Sequence, residues 1–187
     1  MNTDTKFQGN DLVADPKGQY QIHKRWHRTG FITISYWGNA KKVIIEIGEV
    51  NDGSLVRATK CYIPADQFLA YLKSEMYDVL DKFYPDFTEK GLGFFGGSKN
   101  PTPISRIVKI SPYKDRNGAN DLTARLFKCG HFEGTVEGEG VIKPNYGKKL
   151  SENSIKIGLA ELAQIYVNLD QRMTAELVVE IMDADEQ

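Results

Sequence analysis

A chain of 187 residues with 41% apolar and 26% charged residues, two Trp, nine Tyr and nine Phe has a globular composition and excludes a disordered or fibrous protein. No run approaches the ~18 apolar residues of a membrane-spanning helix, and the polar start Met1–Lys6 lacks the apolar stretch of a secretory signal. A cytoplasmic protein that folds without metal or disulfide staples is expected, with Cys61 and Cys129 as buried reduced thiols.

Taken in chain order, residues 1–16 read as an N-terminal arm and residues 17–171 as a single domain. His23-Lys24-Arg25-Trp26-His27-Arg28 reads as extended and leads into Phe31–Trp37, the first of three short β-branched and aromatic runs. The others are Lys42–Val50 and Leu55–Ile63, and Asn51-Asp52-Gly53 between them predicts a tight hairpin. After Pro64, apolar residues Phe68, Leu69, Leu72, Met76, Val79, Leu80 and Phe83 recur every three or four positions. That spacing predicts an amphipathic helix of about five turns, stopped by Pro85.

Residues 85–103 read as a flexible Gly/Pro-rich connector. Within it Gly91-Leu92-Gly93-Phe94-Phe95-Gly96 matches the dinucleotide fingerprint by letter. A helix precedes it and no helix follows, so no nucleotide cofactor is expected, and Phe94 and Phe95 need burial or a partner. Strands follow at Ile104–Ser111, Leu122–Cys129, Thr135-Val136 and Val141-Ile142, with turns at Asp115–Gly118 and Glu137–Gly140. A second helix is predicted from an N-cap at Ser151, with Ile155, Leu159, Leu162, Tyr166 and Leu169 on one face. Met173–Met182 satisfies the periods of both strand and helix, and residues 172–187 read as an extension with an acidic, disordered end.

These elements define an α+β class: an antiparallel sheet or OB-like barrel with two amphipathic helices. The alternative is a duplicated unit of strands followed by a helix, with halves at 17–84 and 104–171 and with Lys60-Cys61 and Lys128-Cys129 in comparable places. In element order this layout resembles the Whirly-type single-strand binders. The resemblance is one of layout and implies a single-strand-binding fold without assigning any residue.

The net charge of −1 conceals a segregation. Residues 17–60 and 99–149 each carry +5, whereas residues 1–16, 61–98 and 150–187 carry −2, −3 and −6. The strand-rich segments are the basic ones. Cations interleaved with flat rings suit unpaired nucleic acid, because cations neutralise phosphates and rings stack on bases. The expected phosphate contacts are Lys24, Arg25, Arg28, Lys109, Lys114, Arg116, Arg125 and Lys128; the expected stacking residues are Trp26, Tyr36, Trp37 and Tyr113. If the two clusters face each other, they line one groove opposite the acidic helices; the alternative is scattered surface charge.

Other chemistry lacks its motifs. His23, His27 and Cys129-Gly130-His131 contain no close ligand pair of the C-x-x-C kind, so no metal is expected. Glu133, Glu137 and Glu139 crowd a turn that cannot hold them convergent, and no nucleophile elbow or phosphate loop occurs, so an enzyme is not expected. The expected function is sequence-tolerant binding of single-stranded nucleic acid, DNA rather than RNA. Such a protein protects exposed strands in replication, recombination or transfer of a phage or mobile element. Homo-oligomers are expected, with the acidic C-terminus recruiting protein partners. The alternative is a small inhibitor or adaptor that binds a host protein.

Overall fold

In a computed structural model that describes residues 18–98, 102–137 and 141–185, the basic segments form two four-stranded antiparallel meanders. The N-terminal arm, the tip of the Glu137–Gly140 turn and the last two residues lie outside the described residues. The first sheet comprises β1 (Gln19–His27), β2 (Gly30–Trp37), β3 (Lys42–Asn51) and β4 (Ser54–Pro64). It leads into α1 (Ala65–Met76) and two single turns, α2 (Leu80–Phe83) and α3 (Phe87–Lys90). The second sheet comprises β5 (Leu92–Ser98), β6 (Ile104–Lys114), β7 (Asn120–Glu137) and β8 (Val141–Gly158), followed by α4 (Leu159–Asp185). Among the described residues, no helix is long and apolar enough to cross a membrane.

The order of four strands then helix, twice, is the duplicated unit rather than a closed five-stranded barrel. Inward side chains of β2, β3 and β4, among them Ile32, Ile34, Ile45, Ile47, Cys61 and Ile63, share one core with Val108, Ile110, Phe127, Cys129 and Ile157 of the second sheet. Each large apolar side chain so buried contributes about 1.5–3 kcal/mol. Ladder hydrogen bonds act within a sheet, so this seam is what joins the sheets. It is reinforced by Asn153 donating to Thr59 Oγ1 (2.9 Å) and by Thr59 donating to Ser151 (3.1 Å).

The two thiols meet in the seam. Cys61 Sγ lies 3.5 Å from the Ile107 carbonyl of the opposite sheet, and Cys129 Sγ lies 3.8 Å from the Ile45 carbonyl. A hydrogen bond from Cys129 and the neighbouring His131 hold the Cys61 thiol down at about 6, while the same contact and burial push Cys129 up. The cysteines are not equivalent in the duplication, since one sits on the fourth strand of its sheet and the other on the third.

Several boundaries differ from expectation for identifiable reasons. The long first helix breaks at Asp78, which adopts a left-handed φ of 54°, a conformation that Asp tolerates better than most residues. Phe83, predicted on the apolar stripe, is exposed. The connector contains β5: Phe94 points into the core and Phe95 out, and Gly96 passes against the Tyr62 carbonyl, where a Cβ would stand 2.8 Å away. Ser151 is no N-cap, because Asn153, Ile155 and Ile157 alternate inward along β8 and the helix starts at Leu159. The ambiguous tail is helix through Asp185, so the acidic end to that point belongs to α4. The Asp52-Gly53 turn holds as predicted, with φ of 47° and 77°, the two positive values a two-residue primed turn needs.

α1 inserts Phe68, Tyr71 and Leu72 into the core, where the Phe68 ring meets Phe94 and Phe127 edge-on at 6.1 and 6.3 Å. α4 buries Leu162, Ile165 and Leu169 and is fastened to β1 and β2 by a second stripe. Along that stripe Glu161 binds His23 (2.7 Å) and Arg25 (2.8 Å), Asn168 donates to the Ile22 carbonyl (3.0 Å), Arg172 stacks on Tyr20 (3.3 Å) and Glu176 accepts from Tyr36.

Candidate nucleic-acid interface

Strand register decides which residues share a surface, because side chains one position apart point to opposite faces. On the outer face of the first sheet, Trp26 pairs with Phe31 and Phe31 with Gly48. The next rows hold Lys24, Thr33, Glu46 and Lys60; then Gln21, Ser35, Ile44 and Tyr62; then Gln19, Trp37 and Lys42. Gly48 has a structural task here. The Phe31 ring lies down over it where any Cβ would collide, and Phe31 is 5% exposed as a result. Trp26 stacks on that ring at 4.5 Å with an interplanar angle of 15° and remains 51% exposed. Lys24 stands 5.7 Å from the Trp26 ring, and burial lowers its ammonium from the usual value. The pile of glycine, phenylalanine and tryptophan ends in an open aromatic face with a cation beside it.

The outer face of the second sheet repeats the device. Gly93, Lys109, Lys128 and Ser154 form one row; Phe95, Ile107, Gly130 and Glu152 form the next, with Phe132 beyond. The Phe95 ring lies over Gly93 and the Phe132 ring over Gly130, where Cβ atoms would stand 3.1 and 2.8 Å from ring carbons. Tyr146 meets Phe132 edge-on at 5.4 Å. Phe95 is 58% exposed and Tyr146 65%. These rings and Lys109 and Lys128 line a shallow groove of about 410 Å³.

The predicted residues divide accordingly. Lys24, Trp26 and Trp37 lie on the first outer face, Lys109 and Lys128 on the second. Arg28 is exposed in the β1–β2 turn, and Lys114 and Arg116 are exposed at the β6–β7 turn. Tyr113 neighbours that turn, with Lys156 4.4 Å above its ring and itself hydrogen-bonded to Asp121, which raises the Lys156 ammonium.

Three expected contacts are corrected. Tyr36 faces inward, buried, and donates to Glu176. Arg25 also faces inward and is held by Glu161. Arg125 is locked in a bidentate pair with Glu75 (2.6 and 2.8 Å) and lies over the Phe87 ring at 5.6 Å. All three occupy core-side register positions, which count of charge cannot reveal. The two clusters also do not line one groove: they occupy outer faces of different sheets. Residue typing singled out Phe95 as needing burial or a partner without placing it in the site, and missed Phe132, Tyr146, Lys60 and Tyr62. The legible signal was the glycine two residues before an aromatic, in Gly93-Phe94-Phe95 and Gly130-His131-Phe132.

A larger groove of about 860 Å³ is lined by residues of both sheets, with Arg25, His27, Arg57, Lys149 and Lys156 against Glu49 and Glu152. Arg57 is paired with Glu49 and Lys149 with Glu152, so its charge is largely internally satisfied.

No family model matches the sequence, and no curated protein matches it. Among solved structures, the chain is similar to the plant transcriptional regulator PBF-2, with 10% identity, a TM-score of 0.50 and coverage of 92% of this chain and 90% of the other. It is also similar to WHY1 from Arabidopsis thaliana, at 8% identity and a TM-score of 0.49 over 90% and 94% of the two chains. The fold is thus a Whirly-like α+β arrangement of two antiparallel four-stranded sheets with helices.

Proposed function

We propose that this protein is a non-enzymatic, sequence-tolerant binder of single-stranded DNA that protects exposed strands. The observation that carries the reading is the Gly48–Phe31–Trp26 pile with Lys24 beside it. A ring laid parallel to the sheet offers its flat face to a base, and each such stacking contact is worth about 1–3 kcal/mol. The cations of the same faces suit a phosphate backbone. The similarity of fold to a plant transcriptional regulator supports DNA as the polymer.

The test is fluorescence anisotropy of labelled oligo-dT against a matched duplex at low and moderate salt. Micromolar or tighter binding to the single strand, weaker to the duplex and lost as salt rises, is the expected result. Absence of binding at low salt would sink the reading and turn attention to a host-protein partner.

Self-association belongs to the same proposal. The last turns of α4 present Leu177, Val178, Val179, Ile181 and Met182, each half-exposed or more. An apolar surface of that kind is stabilised by being covered.

A further inference from the structure

The outer faces of the two sheets point away from each other, because their inner faces share one core. Both are built from the same parts: a glycine floor, a ring lying on it, and lysines one row away. The first offers Trp26 with Lys24 and with Lys60, which lies 3.4 Å from Glu46. The second offers Phe95 with Lys109 and with Lys128, which lies 3.6 Å from Glu152 and exchanges that partly exposed carboxylate for a phosphate, while Lys109 makes no ion pair among the described residues. Face-to-face sheets lie about 10 Å apart, so side chains of one face do not reach a strand lying on the other.

We propose that each chain holds two single strands at once, one on each sheet, and thereby anneals complementary strands. The inference rests on the single-strand reading above. Three physical effects act together. Lysines neutralise phosphates and reduce the repulsion between strands. Co-location on one particle converts a bimolecular encounter into one at an effective concentration of about a millimolar. Stacking occupies the flat face of a base and leaves its pairing edge open to the second strand.

The experiment uses the full chain, oligo-dT of about eight nucleotides, within the size of one single-strand site, and a dye-labelled complementary pair. Native mass spectrometry is expected to show two oligo-dT per chain for the wild type. Trp26→Ala and Phe95→Ala are each expected to reduce this to one. Both side chains are exposed, and thermal melting checks that the variants fold. The wild type is expected to accelerate pairing of the complementary strands roughly tenfold or more, and each single-face variant to lose that acceleration while still binding oligo-dT. One oligonucleotide per wild-type chain overturns the proposal. So does two per chain without annealing, which would mean both faces serve one wrapped strand. So does a single-face variant that anneals as the wild type does. A wild type that binds no oligo-dT at all instead removes the underlying reading, and that outcome is distinct from the other three.

Discussion

Gly48, Gly93 and Gly130 matter for what lies above them rather than for backbone freedom. Gly48→Ala would push the Phe31 ring upward and lift Trp26. The expected cost is about 1–3 kcal/mol, as for other overpacked sites, with weaker single-strand binding, checked by thermal melting beside anisotropy. Arg125→Ala would leave Glu75, 3% exposed, as an uncompensated buried charge together with the Tyr71 hydroxyl. That should cost about 3–5 kcal/mol, or roughly 10 °C in melting temperature for a chain of this size. The loss would be one of folding, with oligo-dT affinity unchanged below the transition, which separates Arg125 from the phosphate contacts it was expected to join. Composition identifies such a residue as a cation. Only the register, which turns Arg125 inward and Lys128 outward, assigns its partner.

Secondary structure was legible where one period was unambiguous. The Asp52-Gly53 hairpin and the alternation of β2 and β3 needed no tertiary information, because turn chemistry and period two agree there. Ser151–Gly158 was misread because Ile155 and Leu159 satisfy period four as well as they fit a strand running into a helix. β5 was hidden by its glycines, which lower strand propensity yet are required where its backbone passes the Tyr62 carbonyl. At Asp78, replacement by Gly should relieve a left-handed conformation and stabilise the protein by up to about 1 kcal/mol, seen as a small rise in melting temperature. α4 is anchored as far as Glu176. Truncation before Leu177 is expected to leave the melting temperature nearly unchanged and to shift sedimentation toward monomer. An unchanged sedimentation coefficient would place self-association elsewhere.

For the whole molecule, segregated charge becomes two basic sheets with acidic helices beside them, which a net charge of −1 hides. Single strands release counterions with a slope of about −0.7 per neutralised phosphate. A face that engages two lysines, such as Lys109 and Lys128, should therefore give a log–log salt slope of about −1.4. Lys109→Gln is expected to reduce the slope by roughly 0.7, whereas Phe95→Ala should weaken binding with the slope intact; anisotropy titrations across salt concentrations check both.

The duplicated layout was readable from element order, yet the placement of the two halves was not, since it depends on which alternate residues turn inward to meet. The thiols at that meeting point supply a clock. Cys61 and Cys129 are both fully buried between the sheets, so an alkylating reagent reaches them only when the halves part. The rate of their modification counts those partings, each sulfur reports from its own half, and equal rates at both would mean that the halves separate in one cooperative event.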